Sequence, residues 1–248
     1  MVAGRAVSPP MESTASEPEP RRGRPRPAGR PMDIVAAFAR RVAEHGYADT
    51  NYSHIAGDLG IAKGTIVHYY ATKDRLFAAM HDLYLHRCLN QARAIVKRLP
   101  GPAEQLAGLL FSFILYQDVD RDFTVAFQRE ITTLARHERM ASGRRLRADY
   151  LRVVRNVMKA GVRDGTFWSI DVDAQSLLIF GSSQWAWTWF RPDGRLSAVE
   201  AGGQLVELVL GSLLVDRSRL AELVDPSGPI VRVAQECLVT ITEIESAD

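Results

Sequence analysis

The sequence is short of cysteine, of long apolar runs and of the motifs that carry catalysis. Cys88 and Cys237 are its only cysteines. They lie far apart and without metal-ligand spacing, so reduced thiols are expected rather than a disulfide framework. No stretch approaches the ~20 consecutive apolar residues that a membrane helix needs. The N-terminal region lacks the apolar core of a secretory signal, and the expected setting is the cytoplasm. The histidines do not cluster. His81 and His86 are five residues apart, not the three or four that bring two ligands to one helix face, so no metal site is expected. Gly-x-Ser-x-Gly, the Walker loop and GxGxxG are all missing. No nucleophile–base pair stands out, so the chain does not read as an enzyme and no cofactor is expected. Convincing period-2 strands and internal repeats are missing too, which leaves an all-α class.

Net charge is also small, formally +2, but it is unevenly placed. Residues 21–30 carry Arg21, Arg22, Arg24, Arg26 and Arg30 with no acid, whereas beyond Phe167 five arginines stand against twelve Asp and Glu. That asymmetry suits a protein that meets a polyanion at one end only. Residues 1–31 are rich in Pro, Ser, Glu and Arg and cannot bury enough apolar surface to order themselves, so this segment is expected to be a disordered arm. Within it, Arg22-Gly23-Arg24-Pro25-Arg26-Pro27 has two readings. It is narrow enough to lie in a DNA minor groove, with Arg24 and Arg26 drawn to the negative potential there. It would serve equally as a solvated linker.

What the chain does have is a dense pattern from Thr50 to Phe77, TNYSHIAGDLGIAKGTIVHYYATKDRLF. Thr50 is placed to cap a first short helix, on which Ile55 and Leu59 share a face. Gly60 sits where the chain must reverse, and Ile61 and Ile66 return a second short helix to the same core. Small residue, glycine and branched aliphatic are spaced as a helix-turn-helix requires. The second helix would then present Lys63, Thr65, His68 and Tyr69 outward to a groove. A helix over Met32–His45, with Ile34, Val35, Phe38 and Val42 on its apolar stripe, precedes this pair. Thr72 caps a long helix that reaches Leu99 and is stopped by Pro100-Gly101-Pro102.

The remainder reads as helices over about 103–116, 123–136, 138–163, 173–190 and 197–215, with a last one over about 226–245. Trp185 and Trp189 share a face and would line a cavity, a subunit seam or an ordinary core. Arg136, Arg139, Arg144, Arg145, Arg147, Arg152 and Arg155 form a basic run. It reads as the mouth of an anion pocket or as a solvated face.

The segment Gly46–Phe77 resembles the DNA-binding head of the TetR family of transcriptional repressors. The carrying residues are Gly46-Tyr47, Thr50, Ile55-Ala56, Leu59-Gly60-Ile61, Lys63-Gly64-Thr65-Ile66, His68-Tyr69-Tyr70 and Lys73-Asp74-Arg75-Leu76-Phe77. The resemblance implies a homodimer that places two recognition helices on a palindromic double-stranded operator. Lys63, Gly64, Thr65 and His68 would then lie nearest bases or phosphates, Thr50 and Lys73 would bond phosphates, and Tyr69 would do either. Two positions depart from the family pattern. Ala62 stands where Ser is usual, removing a cap or phosphate contact. Val67 stands where Tyr is usual, and could still touch a thymine methyl.

A second likeness runs from Gly165 to Val215 through Gly165-Thr166-Phe167, Asp171–Ala174, Trp185 and Trp189–Ser197. It resembles a subgroup that represses sterol-ring and fatty-acid breakdown and senses acyl-CoA thioesters. It implies an acyl-CoA thioester as effector, while the Leu, Phe and Trp content of the core suggests an apolar ligand body, with Leu110, Phe113, Phe127, Tyr150, Trp185 and Trp189 as the candidate ligand-binding residues. It also implies a four-helix dimer seam, where Gly181, Ser182, Ser183, Gly202 and Gly203 would allow close approach. The expected layout is an arm over residues 1–31, a head over 32–78 and a ligand-binding and dimerisation domain over 79–248. Alternative functions on the same helices are an interaction protein that binds no DNA, or a transcriptional activator.

Overall fold

A computed structural model describes residue 1, residues 31–134 and residues 141–238. The helices are α1 (Pro31–His45), α2 (Tyr52–Leu59), α3 (Lys63–Tyr69), α4 (Lys73–Arg98), α5 (Pro102–Val119) and α6 (Arg121–Leu134). They continue as α7 (Ala141–Asp164), α8 (Val172–Gln184), α9 (Ala186–Trp189), α10 (Ala198–Leu213), α11 (Leu220–Val224) and α12 (Pro229–Cys237). Among the described residues, extended pairing is confined to one bridge between Phe167 and Leu214. The all-α class is as expected.

The first three helices fold against the start of α4. Ile34, Phe38, Ile55, Ile66 and Phe77 are fully buried there. Phe38, Tyr47 and Phe77 meet edge to face at centroid distances of 5.0–6.4 Å. Gly60 takes the left-handed conformation, φ 64°, that the tight reversal demands. Thr72 caps α4 as expected, accepting from the Arg75 amide.

The cap of α2 differs from expectation. Asn51 holds it, accepting from the amides of Ser53 and His54 at 2.9 and 3.1 Å. The Thr50 hydroxyl instead turns inward and donates to the Gly46 carbonyl at 2.9 Å. The helix therefore starts one residue later, on the side chain whose longer reach meets the free amides.

The larger part of the chain is built around α5. Twelve of its eighteen residues are buried, so a mantle must cover it on nearly every side, and α4, α7, α10 and α12 supply that mantle. Gly202 and Gly203 of α10 belong to this packing and not to a subunit seam. A Cβ at Gly202 would lie 2.6 Å from the Phe111 ring, and one at Gly203 would lie 2.9 Å from the Val224 carbonyl oxygen.

The helix expected to run unbroken to Phe190 stops at Gln184, and a short α9 follows. The hydroxyls of Ser182 and Ser183 both donate to the Ile179 carbonyl. That competition with the helical ladder, beside Gly181, weakens the helix where it breaks. The last expected helix begins three residues later and ends at Cys237. Asp225 accepts from the Ser227 amide in a local turn, and Pro229 then opens α12. Residues 239–248 lie outside the described residues.

Candidate DNA-binding face and ligand cavity

The outward face of the helix pair follows from which side chains the small core takes. Ile66 is fully buried, which turns Lys63, Gly64, Val67, His68 and Tyr69 to the surface, with Thr65 half-buried. Val67 is 43% and Tyr69 46% exposed. His68 and Tyr69 stack edge to face, 5.2 Å between centroids. A Cβ built on Gly64 would meet nothing within 4 Å, so nothing in the described residues requires glycine there. Ala62 precedes α3 without any side-chain cap bond, as its departure from the family pattern implied.

Two expected phosphate ligands are turned away from this face. Thr50 is wholly buried, and its hydroxyl is spent on Gly46. The Lys73 ammonium donates to the carbonyls of Tyr47, Thr50 and Ala48 at 2.9, 2.9 and 3.4 Å, and sits 4.2 Å over the Tyr47 ring. Three donors are all an ammonium has, so this charge serves to tie the α1–α2 connection to α4. Arg24 and Arg26 lie outside the described residues.

α6 holds the other side of the same connection. Arg129 donates to the Ala43 and Glu44 carbonyls at 3.1 and 3.3 Å, and Glu130 accepts from the Tyr47 amide at 3.0 Å. Asp122, one end of the helix away, pairs with Arg40 at 3.5 Å. No feature of the linear sequence signalled this grip, because its partners are backbone groups some 83–86 residues distant.

Between α4, α5, α6, α7 and α8 lies a cavity of about 460 Å³, within the range of small-molecule sites. Phe113, Phe127 and Tyr150 line it, as expected. Leu110 does not: it is fully buried in the core behind. Trp185 and Trp189 do not either. They are 64% and 52% exposed, because the break after Gln184 swings them outward.

Residues not foreseen as ligand contacts complete the wall: Tyr84 and Cys88 from α4, Tyr116 from α5, Leu151 from α7, and Leu177 and Phe180 from α8. The signal for Tyr84 and Cys88 was the apolar stripe of the long helix, whose i, i+4 spacing puts both on one side. Cys88 is no nucleophile here, since burial pushes its thiol up to about 11. His81 is wedged between Phe77 and Phe127 at 4.3 and 4.9 Å. Burial, and then Arg147, push its pKa down to about 3, so it is neutral. Among the described residues no group of three or more His, Cys, Asp or Glu is placed to hold a metal.

The basic run divides in function. Arg155 is structural, paired with Asp173 and donating to Ser176, both at 3.0 Å. Arg152 pairs with Asp149 on its own helix. Arg144 and Arg147 instead line the cavity. Arg147 is half-buried, its pKa lowered by desolvation, and among the described residues no ion pair offsets that cost. A half-buried guanidinium without a carboxylate favours an anionic occupant. Arg136 and Arg139 lie outside the described residues.

Known proteins share this layout. Residues 34–80 match the family model of bacterial regulatory proteins, tetR family, and residues 100–213 match the tetracyclin repressor-like C-terminal domain. The HTH-type transcriptional repressor KstR2 of Mycobacterium tuberculosis (strain ATCC 25618 / H37Rv) is 26% identical over 204 residues, 82% of this chain and 98% of that protein. A solved structure of the ketosteroid transcriptional regulator KstR2 of Mycobacterium tuberculosis aligns with a TM-score of 0.69 at 26% identity, over 77% of this chain and 100% of the other. AibR, solved in complex with isovaleryl coenzyme A and operator DNA, shares the fold. Its TM-score is 0.67 at 22% identity, over 73% of this chain and 98% of the other.

Proposed function

The chain belongs to the TetR family of bacterial regulatory proteins, and we propose that it is a DNA-binding repressor released from a palindromic operator by an amphipathic anion, an acyl-CoA thioester. One observation carries this reading. The α6 helix that gives Phe127 and Gln128 to the cavity gives the next two residues, Arg129 and Glu130, to the head. A change in the cavity wall thus reaches the DNA-binding end within a single helical turn. α4 supplies a second path, from Thr72 at the head to Tyr84, Leu85 and Cys88 in the wall.

The head, residues 32–78, meets the major groove through Lys63, Gly64, Thr65, Val67, His68 and Tyr69, with the arm of residues 1–31 adding Arg24 and Arg26 in the minor groove. Residues 79–248 bind effector and dimerise. The exposed Leu178, Trp185 and Leu208 on α8, its end and α10 support a homodimer through those helices. Two heads about 34–36 Å apart then grip successive faces of one duplex. The aromatic cavity suits an apolar acyl body, and Arg144 and Arg147 suit the phosphates of a coenzyme A moiety. That AibR was solved with isovaleryl coenzyme A lends the thioester class further support. No helix among the described residues is long and apolar enough to cross a membrane, in keeping with a cytoplasmic regulator.

The test is a titration of the full-length protein against duplex DNA from upstream of its own gene, with a panel of acyl-CoA thioesters and their free acids. Binding at low salt that weakens steeply as salt rises, and that one thioester reverses, is the expected result. Absence of binding at low salt would leave the interaction-protein reading instead.

A further inference from the structure

We infer that the Gln128 side-chain amide donates to the carbonyl oxygen of the effector's thioester, so that the cavity recognises the acyl linkage itself; this rests on the cavity being the effector site. Gln128 stands half-buried in the cavity wall on α6, next to Phe127 of the aromatic part of that wall. Arg144 and Arg147 line the same cavity from α7.

The orientation of this amide is set from behind. Gln117, wholly buried on α5, donates from Nε2 to the Gln128 Oε1 at 2.9 Å. A carboxamide is planar, with oxygen and nitrogen on opposite sides of one carbon. Tying the oxygen to Gln117 therefore turns the nitrogen away from α5. That nitrogen carries two N–H donors and has no partner among the described residues. It is also within reach of an occupant. The polar atoms sealed off without a partner include the Gln117 Oε1 but not the Gln128 nitrogen.

Sealing the Gln117 oxygen without a partner costs stability, and methionine would fill a similar space in α5 without that cost. What the glutamine adds is one hydrogen bond, and that bond fixes the Gln128 amide. A neutral donor that shares a cavity with an aromatic wall and two guanidiniums matches a neutral acceptor joining an apolar body to an anionic head. In an acyl-CoA the acceptor at that junction is the thioester carbonyl. A bond made there also acts on α6 one residue before Arg129, which holds the head.

Isothermal titration calorimetry on the full-length protein decides this with matched pairs of probes. The thioesters are butanoyl-, octanoyl-, dodecanoyl- and cyclohexylpropanoyl-CoA. Each is paired with the S-alkyl-CoA thioether of the same carbon skeleton, which keeps the pantetheine arm and the phosphates and has CH2 in place of the carbonyl. The wild type is expected to bind its preferred thioester about tenfold more tightly than the paired thioether, the worth of one good hydrogen bond. Gln128→Leu should bind the two alike, by losing affinity for the thioester alone. Gln128→Glu keeps an oxygen for Gln117 and replaces the donor by a second oxygen, so it should lose the preference too, whatever its charge does to both ligands. Gln117→Met should narrow the preference and leave thioether affinity unchanged, although residue 117 does not line the cavity. Equal binding of thioester and thioether by the wild type overturns the inference and leaves the cavity reading standing. An undiminished preference in either Gln128 variant, or an equal loss of both ligands in Gln128→Leu, overturns it as well. If neither member of any pair binds the wild type, the cavity reading fails and takes this with it.

Discussion

Replacing Glu130 by alanine should separate the cavity from the DNA-binding head while leaving both in working order. Among the described residues, the Glu130 carboxylate accepts the Tyr47 amide at 3.0 Å, holding α6 to the α1–α2 connection beside Arg129. A hydrogen bond to a charged group contributes about 1.5–3 kcal/mol, and the half-exposed setting argues for the low end, about 1.5 kcal/mol. An effector shifts operator affinity only through contacts that differ between the two states. Removing this link should therefore shrink the effector's fold-effect on operator affinity by about tenfold. Ligand-free operator affinity and the effector's own Kd should stay within about threefold of wild type.

The assay is fluorescence polarisation of labelled operator with and without saturating effector, backed by calorimetry of the effector alone and a melting curve. Glu130→Gln keeps an acceptor oxygen and loses the charge, so it should fall between. An unchanged coupling in Glu130→Ala would refute α6 as the route and leave α4 to carry the signal alone.

Four further outcomes follow from the geometry. Lys63→Ala should weaken operator binding uniformly across sequences, reduce the salt slope by about one and leave dimerisation intact on a sizing column. Gly202→Ala, which puts a methyl 2.6 Å from the Phe111 ring, should cost about 1–3 kcal/mol in urea unfolding. Gly181→Ala, where nothing lies within 4 Å, should be close to neutral in the same assay on the protomer. Arg147→Gln removes the half-buried guanidinium from the cavity wall. It should raise the Kd for an anionic effector about tenfold or more while leaving a neutral apolar analogue unaffected, as read by calorimetry.

Much of the head was legible because its signals are local. The Gly60 reversal, the Thr72 cap and the inward Ile55 and Ile66 each lie within a few residues of what they control. The N-terminal cap lies one residue from its expected place, on Asn51, although asparagine is the better cap of the two by type. Only the fold shows that the Thr50 hydroxyl is buried against Gly46. Lys73 was misread for a similar reason, since its partners are carbonyls of a connection more than twenty residues earlier.

In the larger domain the helices were legible from apolar spacing, but the faces were not. α5 is apolar nearly all round, so periodicity could not say that Phe113 meets a cavity while Leu110 meets the core. The tryptophans are expected on a continuous helix, but it breaks after Gln184, and both lie exposed beyond the break. The grip of Arg129 and Glu130 on the head was beyond sequence reasoning. Both residues look like ordinary surface charges until the fold brings backbone groups of the head beside them.

On the proposed function, one chain joins an anion-accepting cavity to a DNA-reading helix. The most direct measurement follows polarisation of labelled upstream duplex bound to the full-length protein while acyl-CoA thioesters are titrated in at fixed low salt. Tight, salt-sensitive binding that at least one thioester reverses is expected, with Arg147→Gln needing about tenfold more of it. Thioester that fills the cavity by calorimetry yet leaves the duplex bound would contradict it.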